Sequence, residues 1–468
     1  MKKVNDYFSE ISDTFITNYN ELHASMLLSG NYNEYEISLI YKAFKKSEEL
    51  HRGNYRKSGE EYIVHPLSVA KLLVDYGFDA PTICAALLHD TVEDTEYTIE
   101  ELKKDFGDEI ALLVDGVTKM EKTNFSSKEE SEMETHRKIL HSITVDARII
   151  VVKLADRLHN MMTLEALKEK SRLEIANETK DFYVPIARNL GIYKLKDEIQ
   201  DLSLFFLDND AFLEYYDLRQ KIKGNNEEIV HMLGDRAKNK LLDRNIGMDY
   251  NFKVKNVAGI YEELRRKEKL DCINDLVAIR MLVNTNADCY QTLGVVHEIG
   301  KHNFGLLNDF ISQPKYNGYR SLNTNVRFCG ENIQARIRTY AMQRVNSLGV
   351  VTNWTEENQR KINEMCMDLI KLDESDLETK DYLRESANKF LIRKIAVNSP
   401  YGIIQLKEGS TLKDYLDYTN SKLEENEVIA VNDVASNLNY ILQDGDYINI
   451  IKKVNKIKRR GSLYEKRN

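Results

Sequence analysis

The stretch Ala85-Ala86-Leu87-Leu88-His89-Asp90-Thr91-Val92-Glu93-Asp94-Thr95 sets one imidazole and three carboxylates at the end of an apolar helical run. His89 and Glu93 are four apart, as are Asp90 and Asp94, so each pair projects on roughly one helical face. Burying these groups is expensive unless something offsets their charge, and a divalent metal would do so. Imidazole and carboxylate suit Mn, Fe or Zn, and carboxylates also suit Mg. Two further candidate ligands, His65 and Asp156, lie far away in sequence, each on or beside a predicted helix. A cation held by His65, His89, Asp90 and Asp156 can acidify a water and polarise a phosphoryl oxygen. Glu93 and Asp94, one turn beyond, are placed to orient that water or take its proton. Arg56 and Lys57, in a basic loop, can hold a phosphate chain. The residue types alone therefore point to metal-assisted phosphoester hydrolysis. The competing reading is a salt-bridged interior helix.

The elements that must carry these groups are helical. Ile37, Ile40, Tyr41 and Phe44 have the spacing of an amphipathic helix, after a helical lead-in over residues 1–30. Arg56-Lys57-Ser58-Gly59 reads as a loop, Pro66 as a helix opening and Gly77 as its end. Thr98-x-x-Glu101 is a capping box. Residues 121–134 read as a charged loop running into a helix. Residues 147–161 read as a helix with Ile149, Ile150 and Val152 buried and Lys153, Asp156 and Asn160 on another face. No strand signal precedes Asn251, so the first half is expected to be all-α. From Phe252 short strands alternate with helices: a helix over 257–267, a central strand over 276–283, a helix near 287–300, and strands near 309–313, 321–328 and 332–338. Residues 355–390 read as a helical connector. Short strands return from Ile395, with turns at Pro400-Tyr401-Gly402 and Gln443-Asp444-Gly445-Asp446.

With 468 residues the chain has room for roughly two to four domains. Hydrophobic content of 42% and charged content of 30% fit a globular protein. No apolar run reaches the ~20 residues of a membrane span, so no membrane partner is expected. The opening Met1-Lys2-Lys3-Val4-Asn5-Asp6 has no apolar signal region, and the five cysteines are scattered, so a cytoplasmic protein is expected and a zinc ribbon is excluded. A net charge of −9 argues against non-specific nucleic-acid coating. The basic tail (Lys452, Lys453, Lys456, Lys458, Arg459, Arg460) is expected to be solvated, with RNA contact as the alternative.

Four segments together resemble the RelA/SpoT homologue family, which makes and destroys the guanosine alarmone (p)ppGpp: Arg56-Lys57-Ser58-Gly59-Glu60 with Ile63-Val64-His65-Pro66; Leu88-His89-Asp90-Thr91-Val92-Glu93-Asp94-Thr95; Asp115-Gly116-Val117-Thr118-Lys119; and Val152-Lys153-Leu154-Ala155-Asp156-Arg157-Leu158-His159-Asn160-Met161. The resemblance implies Mn(II) on His65, His89, Asp90 and Asp156, and Glu93 and Asp94 as catalytic acids near the 3′-pyrophosphate. It implies nucleotide contacts at Arg56, Lys57, Asn160 and Thr163. One departure is Met162, where the family usually has Arg. The implied architecture is multidomain: an all-α HD hydrolase domain (1–200), a helical linker (201–245), an α/β nucleotidyltransferase-like synthetase-type domain (246–355), a helical connector (356–392), a small β-grasp-like TGS module (393–455) and the basic tail (456–468). The further regulatory modules of long members are not expected, since the chain stops soon after Ile451.

Residues 246–355 resemble the family's synthetase, which moves pyrophosphate from ATP to GDP or GTP. Asp275-Leu276-Val277-Ala278-Ile279-Arg280 matches its central strand. Asn308-Asp309-Phe310-Ile311 and Pro314-Lys315-Tyr316-Asn317-Gly318-Tyr319 match the acceptor region, implying Asp309 as a Mg ligand and Tyr319 as a ring stacking on guanine, with Lys315 beside it. Its chemistry is not matched. Lys255-Asn256-Val257-Ala258 stands where the family has a Gly-Arg-Pro-Lys turn, and Gln334 stands for the acid that binds Mg and assists deprotonation. Asn323 and Asn353 replace two histidines. A neutral amide is a poor divalent ligand and no base, so Mg at this site is put in doubt and synthesis is expected to be absent or vestigial. A retained guanine-nucleotide site is one reading of Asp309, Lys315 and Tyr319; packing is the other. The TGS resemblance implies ribosome-associated tRNA or regulatory-protein partners.

The expectation is a Mn-dependent (p)ppGpp 3′-pyrophosphohydrolase of alarmone turnover in the stringent response, releasing GDP or GTP and pyrophosphate. Its alternatives are a bifunctional synthetase/hydrolase, a non-catalytic nucleotide sensor, and an HD phosphohydrolase for another nucleotide.

Overall fold

A computed structural model describes residues 16–118, 128–349 apart from 268, 271–272, 303–305 and 316, then 351, 359–360 and 362–363, and 394–452 apart from 401, 422, 425–426, 433 and 444. The chain divides into two compact units, 1–391 and 392–468.

The first unit opens as a helical stack. Helix Glu34–Leu50 starts with a capping box in which Asn33 and Glu36 satisfy each other's backbone N–H groups. Helix Ile99–Phe106 starts the same way on Thr98 and Glu101, as its sequence predicts. Helix Val64–Asp75 begins two residues before Pro66, which sits in the first turn, where an N–H would have no partner. Gly77, at φ +73°, turns the chain out of it.

Two helices are buried all round and form the centre. Ala80–Leu88 buries all but one of its residues, and Arg148–Met162 buries every residue except Asn160 and Met162. The second carries Arg148, Lys153, Asp156 and Arg157 among its buried residues, so its ions are paired internally. Lys153 meets Asp156 at 3.0 Å, Arg157 meets Glu178 at 2.9 Å, and Arg148 meets Asp146 at 2.7 Å and Asp79 at 2.8 Å. A π-helical turn, Thr179–Tyr183, sets Phe182 flat against His136 and Tyr183 beneath the Arg157 guanidinium.

The 201–245 segment is helical, as expected, but it is more than a linker. Helix Asn209–Leu242 sends Ile222, Val230, Leu233, Ala237 and Leu241 into the core of the following sheet. That sheet comprises β1 (Asp249–Val254), β2 (Val277–Val283), β3 (Lys301–His302), β4 (Asn308–Asp309), β5 (Leu322–Phe328) and β6 (Glu331–Thr339). Its order is β1-β2-β6-β5-β3 with β4 on β5, and β2–β6 is parallel while the other pairs are antiparallel. Alternation gives it two unlike faces. Val277, Ile279, Met281, Ile333, Ala335 and Ile337 enter the core, with helix Asn286–Ile299 contributing Val295 and Val296. Arg280, Gln334, Arg336, Arg338, Asn323 and Asn325 occupy the intervening positions. The strand expected over 309–313 is a correction: β4 ends at Asp309, and the chain turns because the Asp309 Oδ1 accepts from the backbone N–H of Ile311 and of Ser312, both at 2.9 Å.

Helix Tyr193–Leu207 joins the two halves of this unit. The buried Asp201 caps helix Val257–Lys267, accepting from Ala258 N at 2.8 Å, Val257 N at 3.3 Å and Asn256 Nδ2 at 2.8 Å. The helical core also takes in Val257, Ala258, Leu348, Val351 and Ile362.

The second unit pairs β7 (Lys394–Ser399) with β8 (Gly402–Lys407). Strand β9 (Glu427–Val431) lies between β10 (Val434–Ala435) and β11 (Ile448–Lys452). Helix Leu412–Tyr418, which the strand pattern does not anticipate, supplies Leu412, Tyr415 and Leu416 to its core. Residues 1–15, residues 119–127 with much of the expected charged loop, most of the expected connector and the basic tail from 453 lie outside the described residues.

Candidate metal centre and nucleotide site

Four side chains from three places in the sequence meet at one point. Helix Val64–Asp75 supplies His65, the end of helix Ala80–Leu88 supplies His89 and Asp90, and helix Arg148–Met162 supplies Asp156. His65 Nε2 lies 3.2 Å from Asp156 Oδ1, 3.4 Å from Asp90 Oδ2 and 3.3 Å from His89 Nε2. His89 Nε2 lies 3.2 Å from Asp90 Oδ1 and 3.7 Å from Asp156 Oδ1. The potential ligand atoms of His65, His89 and Asp156 all fall within 4.8 Å of one another.

Outer contacts fix which nitrogen of each ring faces inward. His89 Nδ1 donates to the Ala86 carbonyl at 2.8 Å. His65 Nδ1 and Arg56 Nη1 both approach His159 Nδ1, each at 2.9 Å. A guanidinium can only donate, so His159 Nδ1 is the acceptor and His65 Nδ1 carries its hydrogen. Both Nε2 atoms thereby face the carboxylates, and a cation between them would be ligated through Nε2. Burial, with His65 and Arg56 nearby, holds His159 well below the usual histidine range, so it stays a neutral acceptor.

The charges are consistent with a cation-binding cage. Burial alone would push the Asp156 carboxyl up, but Lys153 and the two imidazoles hold it well below the usual range. Burial opposes ionisation of Asp90 too, and His89 and His65 outweigh it. Nitrogens 3.3 Å apart cannot both be charged. Burial keeps His65 low, whereas at His89 the carboxylates of Asp90 and Asp156 outweigh burial and raise it to about 9. A divalent ion would replace that proton. Two imidazoles and two ionised carboxylates fit Mn, Fe or Zn, and the donor set does not choose among them.

The remaining sequence-predicted residues fall around this point unequally. Arg56 sits in a tight loop closed by Arg56 N→Glu60 O at 2.9 Å, with Gly59 at φ +100°. Its Nη2 donates to Asn160 Oδ1 at 2.6 Å, and Asn160 Nδ2 in turn donates to Asp156. Lys57 is exposed on the same loop. Glu93 is half-buried near enough to help hold Lys153 protonated, after Asp156 and Tyr183. Asp94 is exposed and reaches Asp90 through Tyr62, whose hydroxyl lies 2.6 Å from Asp94 Oδ2 and 2.8 Å from Asp90 Oδ2. The Thr163 hydroxyl turns back to the carbonyls of His159 and Asn160, both at 3.3 Å, at the end of its own helix. Sequence reasoning missed Tyr62 and His159. Tyr62, three residues before His65, carried the only local hint.

The polar face of the sheet is arranged differently. Asp309 Oδ2 accepts from the Tyr290 hydroxyl at 2.9 Å, and its other oxygen is taken by backbone N–H groups. Lys255 grips both oxygens of Asp275 at 2.7 Å. Gln334 accepts from Arg336 Nε at 2.6 Å. The Tyr319 hydroxyl accepts from Arg338 at 3.2 Å, and Lys315 Nζ stands 5.8 Å from its ring. Burial would raise the Tyr319 phenol, but Arg338 and Arg336 lower it to about 8. Burial, then Arg338 and Arg336, bring the Arg280 guanidinium down to about 10.

Two family profiles match the chain, one described as "HD domain" over residues 43–193 and one described as "Region found in RelA / SpoT proteins" over 252–361. A protein of Haemophilus influenzae named guanosine-3′,5′-bis(diphosphate) 3′-pyrophosphohydrolase is 32% identical over 87% of this chain and 62% of its own length. A GTP pyrophosphokinase of Myxococcus xanthus is 34% identical over 89% of this chain and 57% of its own length. The bifunctional (p)ppGpp synthase/hydrolase SpoT of Escherichia coli is 32% identical over 84% of this chain and 57% of its own length. The chain thus spans about three fifths of the length of these curated relatives. With an HD domain followed by a RelA/SpoT-type region, and relatives of this kind along most of its length, the chain belongs to the RelA/SpoT homologue family.

Proposed function

We propose that the chain hydrolyses (p)ppGpp at its 3′-pyrophosphate, releasing GDP or GTP and pyrophosphate, with Mn(II) held by His65, His89, Asp90 and Asp156. The observation that carries this reading is the convergence of those four side chains, with His65 Nε2 3.2 Å from Asp156 Oδ1 across 91 residues of sequence. When bound, the cation supplies Lewis acidity toward a phosphoryl oxygen and makes water a stronger acid. Arg56 spends its hydrogen bonds on two neutral acceptors, which leaves its charge for a substrate phosphate, and Lys57 adds a second cation from the same loop. Glu93 and Asp94 orient the attacking water, take its proton and return one to the departing 3′-oxygen. Asn160 and Thr163 border the nucleotide. Purified protein incubated with ppGpp and Mn should yield GDP and pyrophosphate. Release of any other product, or none, contradicts the reading.

Names among the relatives cover hydrolases, a pyrophosphokinase and a bifunctional enzyme, so the choice between hydrolysis alone and both activities rests on the synthetase-like half. There Lys255 is tied to Asp275, Asp201 occupies the helix start where phosphates would sit, and Gln334 has no acid to offer. We infer that transfer from ATP is lost; labelled ATP with GDP should give no labelled product. One observation favours retained guanine-nucleotide binding on that face: the Nε atoms of Arg280 and Arg338 are buried with no hydrogen-bond partner among the described residues. The 394–452 unit is read as the TGS module, a contact for tRNA or a regulatory protein. Among the described residues no helix is long and apolar enough to cross a membrane, and a cytoplasmic location is proposed with the rest.

A further inference from the structure

The structure assigns Tyr62 as a positioning residue that holds the Asp94 carboxylate in register with the metal-side carboxylate Asp90. This inference rests on the hydrolase reading. Asp94 is exposed at the end of a single helical turn, Thr91–Asp94, which is too short to fix a side chain by itself. Its neighbour Asp90 is part of the cage and is held by two imidazoles. The Tyr62 hydroxyl is the one group whose hydrogen bonds span both carboxylates among the described residues, at 2.8 Å and 2.6 Å. A phenol has one proton, and with Asp90 turned toward the cage the shorter contact, to Asp94, receives it.

The Tyr62 ring is itself clamped. His51 lies flat against it, with ring centroids 4.6 Å apart and planes 12° from parallel, and His65 meets its edge at 6.3 Å. His51 is buried and anchored by Nδ1 to the Ser47 carbonyl at 3.0 Å, so the stack is fixed to helix Glu34–Leu50. The backbone agrees: Tyr62 N donates to Asn54 O at 2.9 Å, which closes the loop that presents Arg56 and Lys57. One ring therefore ties the phosphate-binding loop, a metal ligand and a catalytic acid together. The hydroxyl sets where the acid stands; the ring sets where the hydroxyl stands.

Tyr62→Phe keeps the stack on His51 and deletes only the hydroxyl. Steady-state ppGpp hydrolysis with Mn should show kcat falling about 10- to 100-fold, the usual cost of losing a group that orients a reacting residue. KM should stay near the wild-type value, as should Mn(II) affinity and the thermal unfolding midpoint. A Tyr62→Phe enzyme with wild-type kcat overturns the inference. So does a loss of Mn(II) affinity as large as the loss of kcat, because the hydroxyl would then serve Asp90 alone. A rise confined to KM overturns it as well. A wild type that fails to turn over ppGpp overturns the hydrolase reading and this inference with it; an active wild type matched by its variant overturns the inference alone.

Discussion

The cage and the polar face of the sheet both gather charged side chains at a buried or half-buried place, and they resolve the conflict in opposite ways. In the cage, carboxylate and imidazole atoms point inward while outer atoms are anchored: His89 Nδ1 to a carbonyl, His65 Nδ1 to His159, Asp156 Oδ2 to Lys153. The inward atoms face one another across 3.2–3.7 Å, and a cation would take the place of the proton that His89 holds there. On the sheet, the acids are taken up by the protein, Asp309 by Tyr290 and backbone, Asp275 by Lys255, while the Nε atoms of Arg280 and Arg338 have no hydrogen-bond partner among the described residues. The two places thus differ in what surrounds their acids: converging imidazoles and a second carboxylate in the cage, a lysine, a hydroxyl and backbone N–H groups on the sheet. Motif outline alone does not distinguish the two, since both halves resemble the same family.

The largest effect that can break this contrast is on turnover. His89→Ala should lower ppGpp hydrolysis by about 10³-fold or more, because a ligand and an anchored ring are lost together. Gln334→Glu and Asp309→Asn should leave hydrolysis at the wild-type rate, and Gln334→Glu should not restore transfer from ATP, since Lys255 and the capped helix start stay engaged. Equal sensitivity of hydrolysis to both sets of variants would erase the distinction.

Stability should separate the regions next. Lys153→Met leaves the buried Asp156 charge to the imidazoles and Asn160 alone and should cost about 1–3 kcal/mol in urea unfolding without added metal. Arg280→Met removes a desolvated cation crowded by two others, so it should be neutral or stabilising by about 1 kcal/mol. A destabilised Arg280→Met would mean that this cation has an internal partner after all. The smallest effect is spectroscopic. One tyrosine, Tyr319, should ionise near pH 8 by phenolate absorbance, and Arg338→Met should move that step up toward 10.0. The phenolate is favoured while its arginines are present, so its pKa rises when one is removed or when an anion neutralises them. A titration with no early tyrosine would remove the evidence for a cationic face.

Much of this was legible in the sequence because it depends on short spacing. Lys153, Asp156 and Asn160 share a helical face, and the structure joins them by direct hydrogen bonds. The capping box at Thr98 is equally local. What the sequence hid was set by tertiary approach. Tyr62 gains its meaning from carboxylates 28 and 32 residues away, and His159 from Arg56 at a separation of 103. The 309–313 segment has strand-like residues, yet the side chain of Asp309 captures two backbone N–H groups and bends the chain instead. Helix Asn209–Leu242 has too weak a periodicity to announce that half of it belongs to the core of the sheet.

The proposed hydrolysis requires His65, His89, Asp90 and Asp156 to seat one divalent cation. Electron paramagnetic resonance of Mn(II) titrated into the full chain, wild type beside Asp156→Asn, tests it without reference to turnover. One tight site per chain in the wild type, lost or strongly weakened in the variant, is the expected result; tight binding that survives the substitution would contradict it.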